Sequence, residues 1–413
     1  MSTPRHLISK LEEVVRGDKD VRRSSLRHLL KSNATPSDSE VITIHALITD
    51  AEAWIEELHH HFPAAHDRTS KVIESQLLKI IESHRALLSP VRYLPSEILQ
   101  EIFLHYTDNI HPNATIATMP WRLGHISHRW RKIALSIPTL WDDIPKINIL
   151  LEKPKRSYVR AMICLLQRSG TTPTLKFNIV GYPSPSLRKV PKSPIIKEIM
   201  LHSGRIEQLC IEVNKTTMAL FQRFKGRLPN LQILRLYLLN AYEVPDLDVF
   251  ETAPALHQVA LGGLYQGIDV RVLLPWSQIT HFVEELPGER VGQLVPLSSL
   301  HSLTNLDIYK PLCYFGESGL IHPYQPTTLP NLRTLRLLTY NHNYKNVDLF
   351  LESLTIPAVE VMKIRYMGPL IPHLVSMFSG CHGPSRLQKL SFSHYPTSNR
   401  RIERSSQSHS SLG

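Results

Sequence analysis

The chain has 413 residues, of which 42% are hydrophobic and 20% charged, enough to bury a sizeable core in two or three domains. Its net charge of +11 raises nucleic-acid binding, but Arg22–Arg23, Lys153–Arg156, Arg188–Lys192 and Arg400–Arg404 are separate short clusters without interleaved aromatics, which argues against a base-stacking surface. No stretch approaches the ~18 apolar residues of a membrane span, and the charged opening residues lack a signal-peptide core. Cys164, Cys210, Cys313 and Cys381 form no Cys-x-x-Cys pair. They read as thiols of a reducing compartment, so the expected location is intracellular, in cytoplasm or nucleus.

Residues 1–37 are polar and basic and predict a flexible arm, with a short helix over Leu7–Val15. Residues 38–89 predict a helical hairpin or a short coiled coil. Ser37 and Glu40 have capping-box spacing. Val41, Ile44, Ile48, Ala51, Ile55 and Leu58 then step along one helical face, and Ile73, Leu77, Ile80, His84 and Leu87 repeat the stepping. The run His59–His60–His61 invites a metal site. Helical neighbours point about 100° apart, so three in a row cannot converge on one ion, and no metal or cofactor is expected.

Residues 90–145 predict a compact helical module. Pro95 opens a helix with Ile98, Leu99, Ile102 and Phe103 as an apolar stripe. After a polar loop come Leu123, Ile126, Trp130, Ile133 and Ala134, closed by Pro138-Thr-Leu140-Trp141. So small a unit cannot bury that many large side chains internally, and leftover apolar surface marks a partner interface. A helical connector is expected over 146–171.

From 172 to 395 one phrase, apolar-x-x-apolar-x-apolar, keeps returning. It begins at Ile206, Leu231, Leu256, Ile279 (a degenerate copy), Leu303, Leu332, Val359 and Leu387, at spacings of 25, 25, 23, 24, 29, 27 and 28 residues. The alternating set Leu175, Phe177 and Ile179 reads as an opening strand. A period of 20–29 residues carrying L-x-x-L-x-L is the signature of leucine-rich repeats. Each repeat leaves an apolar face that only the next can cover. The expected architecture is therefore α+β, with an all-helical N-terminal region followed by an irregular α/β leucine-rich-repeat solenoid. The copy at Ile279 is its weakest point, with a loop excursion expected there, and 396–413 predict a disordered tail. Outward positions on these strands include Arg235, Tyr237, Tyr309, Arg333 and Arg336. Tyr and Arg are common interface anchors, and stacked arginines would suit an acidic or phosphorylated partner segment.

The central module resembles the F-box, of the kind abundant in mushroom-forming fungi. Leu94-Pro95-x-Glu97-Ile98-Leu99-x-x-Ile102-Phe103 is similar to its opening helix, and Trp130-Arg131-x-Ile133-Ala134-x-x-x-Pro138-x-Leu140-Trp141 to its ending. Those proteins also carry a lead-in like His84-Arg85-x-Leu87-Leu88-Ser89-Pro90 and irregular leucine-rich repeats afterwards. The resemblance implies a non-enzymatic substrate receptor of a Skp-cullin-F-box ubiquitin ligase. Leu94, Pro95, Ile98, Leu99, Ile102, Phe103, Ile126, Trp130, Ile133, Leu140 and Trp141 would bind the Skp-type adaptor, and the repeats a target protein. A repeat scaffold without a ligase role is the alternative. No nucleophile elbow, Walker loop, dinucleotide glycine fingerprint or His-Glu-x-x-His motif is present, and Gly262-Gly263 reads as a turn after a strand.

Overall fold

The structure is a computed structural model that describes residues 26–32, 34–61, 68–108, 120–149, 156–171, 174–181, 194–239, 247–263, 272–285, 297–310, 325–339, 345–365, 370–379 and 386–393. The helix expected over Leu7–Val15 and the tail 396–413 lie outside these residues. The chain is mixed α/β and divides into two compact units, Met1–Trp141 and Asp142–Gly413. The division falls four residues before the expected end of the helical module.

The first unit is helical. After α1 (Arg27–Lys31), α2 (Asp38–His61) and α3 (Arg68–Leu87) form an antiparallel hairpin, as the cross-pairs His59–Glu74 and Glu52–Arg85 require. At the start of α2 the Glu40 carboxylate accepts from the Ser37 backbone N–H at 2.8 Å, the reciprocal half of a capping box. That bond holds the Glu40 pKa below its usual value. Ile44, Ile48, Ala51 and Leu58 of α2 meet Ile73, Leu77, Ile81 and Leu87 of α3 in one buried cluster. Leu26 and Leu29 belong to the same cluster, so packed structure begins about a dozen residues inside the stretch expected to be a flexible arm. Two large apolar side chains at i, i+3 give that short segment an apolar face to dock with.

Arg92 ties these elements together. It ends the 3₁₀ turn Pro90–Arg92, and its buried guanidinium donates to the carbonyls of Leu29 (3.0 Å), Ser32 (3.2 Å), Ala34 (3.1 Å) and Ala86 (3.1 Å). Arg129 in turn donates to the carbonyls of Arg92 and Leu94. The module that follows contains α4 (Ser96–Asp108), α5 (Trp121–Ile126), α6 (His128–Leu135) and the turn Pro138–Trp141.

The second unit is built on a parallel sheet of ten strands lying in chain order, with helices and 3₁₀ turns in the crossovers. The strands are β1 (Asp143–Asn148), β2 (Leu175–Gly181), β3 (Ile206–Asn214), β4 (Ile233–Leu239) and β5 (Gln258–Gly262). They continue with β6 (His281–Glu285), β7 (Asn305–Lys310), β9 (Thr334–Thr339), β11 (Val361–Arg365) and β12 (Lys389–Ser393). The short pair β8 (Thr327–Thr328) and β10 (Leu354–Thr355) stands apart as a two-stranded sheet. Register follows the repeated phrase. Leu209, Leu234, Val259, Phe282, Leu306, Leu335, Met362 and Leu390 form one cross-strand row.

Two expectations change here. The connector 146–171 is not purely helical, because β1 extends to Asn148 and forms the first edge of the sheet before the helix Arg156–Arg168. The segment after Ile279 enters a regular strand, β6, as far as Glu285, and the remainder of the expected excursion lies outside the described residues. Within the strand one residue breaks the apolar pattern. Glu284 occupies the place of Leu261 and Ile308 in the neighbouring strands and is fully buried there.

Candidate docking surfaces

The module's apolar helix α4 carries two stripes that point in different directions. Leu99 and Phe103, one turn apart, are fully buried, whereas Ile98 and Ile102 are 47% and 43% exposed, and Tyr106 continues their face. Adjacent residues on a helix differ by about 100°, so a six-residue motif Ile-Leu-x-x-Ile-Phe necessarily serves two faces. Phe103 stacks obliquely on Trp130 with ring centroids 4.8 Å apart. Trp121 meets Trp141 edge to face at 5.1 Å, and the Trp141 indole N–H donates to the Ala134 carbonyl at 2.8 Å. Ile133, Leu140 and Trp141 are buried with them.

The expected docking set therefore separates. Leu99, Phe103, Ile133, Leu140 and Trp141 are the module's own core. Ile98, Ile102 and Ile126 (58% exposed) present apolar side chains to solvent, and Val91, Tyr93 and Leu135 of the same unit are also exposed. Pro95 is exposed and Leu94 and Trp130 half-buried. Ser127 caps α6 by accepting from the Trp130 backbone N–H at 3.1 Å. Among the described residues the buried Trp130 indole N–H has no hydrogen-bond partner.

On the sheet, the residues between the buried rows form a second surface. The position of Arg235 continues as Ala260, Val283, Asp307, Arg336, Lys363 and Ser391. Arg235 and Arg336 are both exposed but separated by β5, β6 and β7, about 19 Å at ordinary strand spacing. They do not stack into a continuous positive stripe. Arg336 pairs with Asp307 at 3.2 Å, and Arg333, exposed just before β9, lies 3.8 Å from Glu360. Tyr309 is half-buried, and its hydroxyl sits 3.5 Å from the same Asp307 oxygen that Arg336 engages.

Tyr237 is held differently. Its ring lies across Gly262 on the next strand, so that a Cβ there would stand 2.6 Å from the ring. Its hydroxyl donates to Glu285 one strand further on, at 3.0 Å. Burial first, and then the Glu285 carboxylate, push the tyrosine's pKa up. Gly262 is thus a strand residue whose missing side chain makes room for an aromatic ring. Gly263, just past the strand, takes the left-handed backbone conformation, with φ at 72°. Nearby, Lys146 pairs with Glu212 at 3.2 Å.

No family model, curated protein or solved structure matches this chain.

Among the described residues no group of three or more His, Cys, Asp or Glu side chains could hold a metal ion, and no helix is long and apolar enough to cross a membrane. What escaped the sequence was the acidic complement on the sheet. Glu212 and Glu285 occupy outward positions in the same repeat frame that identified Tyr237, and aligning the copies strand by strand would have found them. The Arg92 clamp had no sequence signal, because its acceptors are backbone carbonyls of residues 29, 32, 34 and 86.

Proposed function

We propose that the chain is a non-enzymatic F-box-type substrate receptor, with the helical module docking on a Skp-type adaptor and through it a cullin. In this reading the ten parallel strands are the sheet of a leucine-rich-repeat solenoid that holds a target protein. The observation that carries it is the split face of α4. The module has a complete core in Leu99, Phe103, Ile133 and Trp141, yet leaves Ile98 and Ile102 bare. Exposed apolar residues in register on a small helical unit are what a partner-binding helix requires. Presenting a target beside a charged ubiquitin carrier raises its effective concentration and needs no catalytic group in this chain. An acidic or phosphorylated target segment would meet Arg235, Arg333 and Arg336 only at separated points, so its charges would have to match that spacing.

The test is copurification. The intact chain should retain a Skp-type adaptor, and Ile98→Asp with Ile102→Asp should lose it while the far-ultraviolet circular dichroism and melting temperature stay unchanged. Clean absence of an adaptor from the unsubstituted chain would favour a repeat scaffold instead.

A further inference from the structure

The two edges of the ten-stranded sheet are finished differently. At one edge Ile144 and Ile147 of β1 are buried, at 1% and 0% exposure. At the other, Leu390 and Phe392 of β12 are 42% and 54% exposed. Every earlier strand, from Phe177 and Ile179 to Met362 and Ile364, buries the residues at those two positions. Strand β12 pairs with β11 on one side, and no strand among the described residues pairs with its other side. Stacked repeats need a terminal cap with a polar outer face, and edge strands are normally blunted by proline, bulges or charges. Strand β12 has none of these except Lys389, and its apolar pair lies bare beside an unpaired backbone edge.

We propose that this edge is an interface between two copies of the chain, β12 pairing antiparallel with β12 of a second copy about a two-fold axis. The strand's own sequence supports self-pairing. Of the possible registers, the one centred on Ser391 alone pairs all five residues of Lys389–Ser393. It sets Leu390 against Phe392 of the partner twice over, on one face, and Lys389 against Ser393, so that no like charges oppose each other. Aromatic–aliphatic cross-strand pairs are favourable, whereas directly opposed lysines are not. Pairing with the β1 edge of another copy would instead build an open chain, and β1 offers no bare apolar residue to receive Leu390 and Phe392.

The experiment is sedimentation of the purified full chain over a range of concentrations, with Phe392→Lys as the first variant. The unsubstituted chain should show a monomer–dimer equilibrium, and Phe392→Lys should weaken it roughly tenfold or more with the melting temperature unchanged. Ser391→Cys supplies a second readout that does not depend on the variant's stability. In the proposed register the two introduced thiols face each other across the two-fold axis with Cα atoms about 5 Å apart, within disulfide reach. Diamide should therefore join the two copies through position 391, a crosslink identifiable by mass spectrometry, while Lys389→Cys alone should give none. A chain monomeric at every concentration, or an unchanged dimer in Phe392→Lys, overturns the proposal. So does a monomer that dimerises only when shortened to end at Tyr395, because the chain's own tail would then be the occupant.

Discussion

Ile98 and Leu99 are neighbours of nearly equal size, and the fold gives them opposite duties. Leu99→Ala or Phe103→Ala removes fully buried side chains, and each should lower stability by about 2–5 kcal/mol in urea unfolding. Ile98→Ala, nearly half exposed, should change stability by less than about 1 kcal/mol while weakening adaptor capture. Equal losses for the two would contradict the division of the helix into core and docking faces. A second residue-scale case is Asp142, buried at the start of the sheet unit. Burial raises its pKa from 3.8 to about 6, against the pull of Lys176 and of a hydrogen bond from Thr174. The folded chain therefore holds this proton more tightly than the unfolded chain does. Its contribution to stability falls as pH rises from about 4 to about 6 and stays reduced above. Asp142→Asn should accordingly be more stable than the unsubstituted chain at pH 7.5, the advantage shrinking towards pH 4. A difference that did not vary with pH would exclude titration of this carboxyl as its source.

At the scale of elements, the helical unit depends on one cation. Arg92 satisfies four carbonyls contributed by α1, the chain after it, and the end of α3. Burial lowers its pKa, yet a guanidinium at such a site keeps its proton because its ordinary value is so high. Replacing it removes four charge-assisted hydrogen bonds, the one to the Leu29 carbonyl buried and the others partly so, and hydrogen bonds to a charged group are worth about 1.5–3 kcal/mol each. Arg92→Met should thus cost at least about 3 kcal/mol. It should also release α1, seen as faster amide exchange at Leu29 and Leu30 before the hairpin itself opens. Loss of stability with unchanged protection of α1 would show that Leu26 and Leu29 alone hold that helix.

Over the whole sheet unit, stability is a matter of neighbours. A central row residue such as Leu335 is covered by β7 on one side and β11 on the other, and is fully buried. Among the described residues Leu390 has a paired strand on one side only. Leu335→Ala should cost about 2–5 kcal/mol, and Leu390→Ala under about 1 kcal/mol at concentrations where the chain is monomeric. A comparable cost for both would mean that the β12 edge is already covered within one copy.

Periodicity made much of this legible. Steps of three and four residues identified α2 and α3, and a recurring six-residue phrase located eight strands of the ten-stranded sheet, because helices and strands leave different repeats in the order of apolar residues. Periodicity is blind to what lies across space. It could not say which of two adjacent apolar residues, Ile98 or Leu99, turns inward, since both satisfy the same helical pattern. Nor could it reveal that carboxylates from other strands neighbour Tyr237 and Arg336, or that Leu26 and Leu29 dock on a hairpin many residues away. Strand β12 shows the limit most directly. Its phrase reads like the regular earlier copies, and only the order of strands in the sheet, which leaves it last among the described residues, decides that its apolar residues are bare.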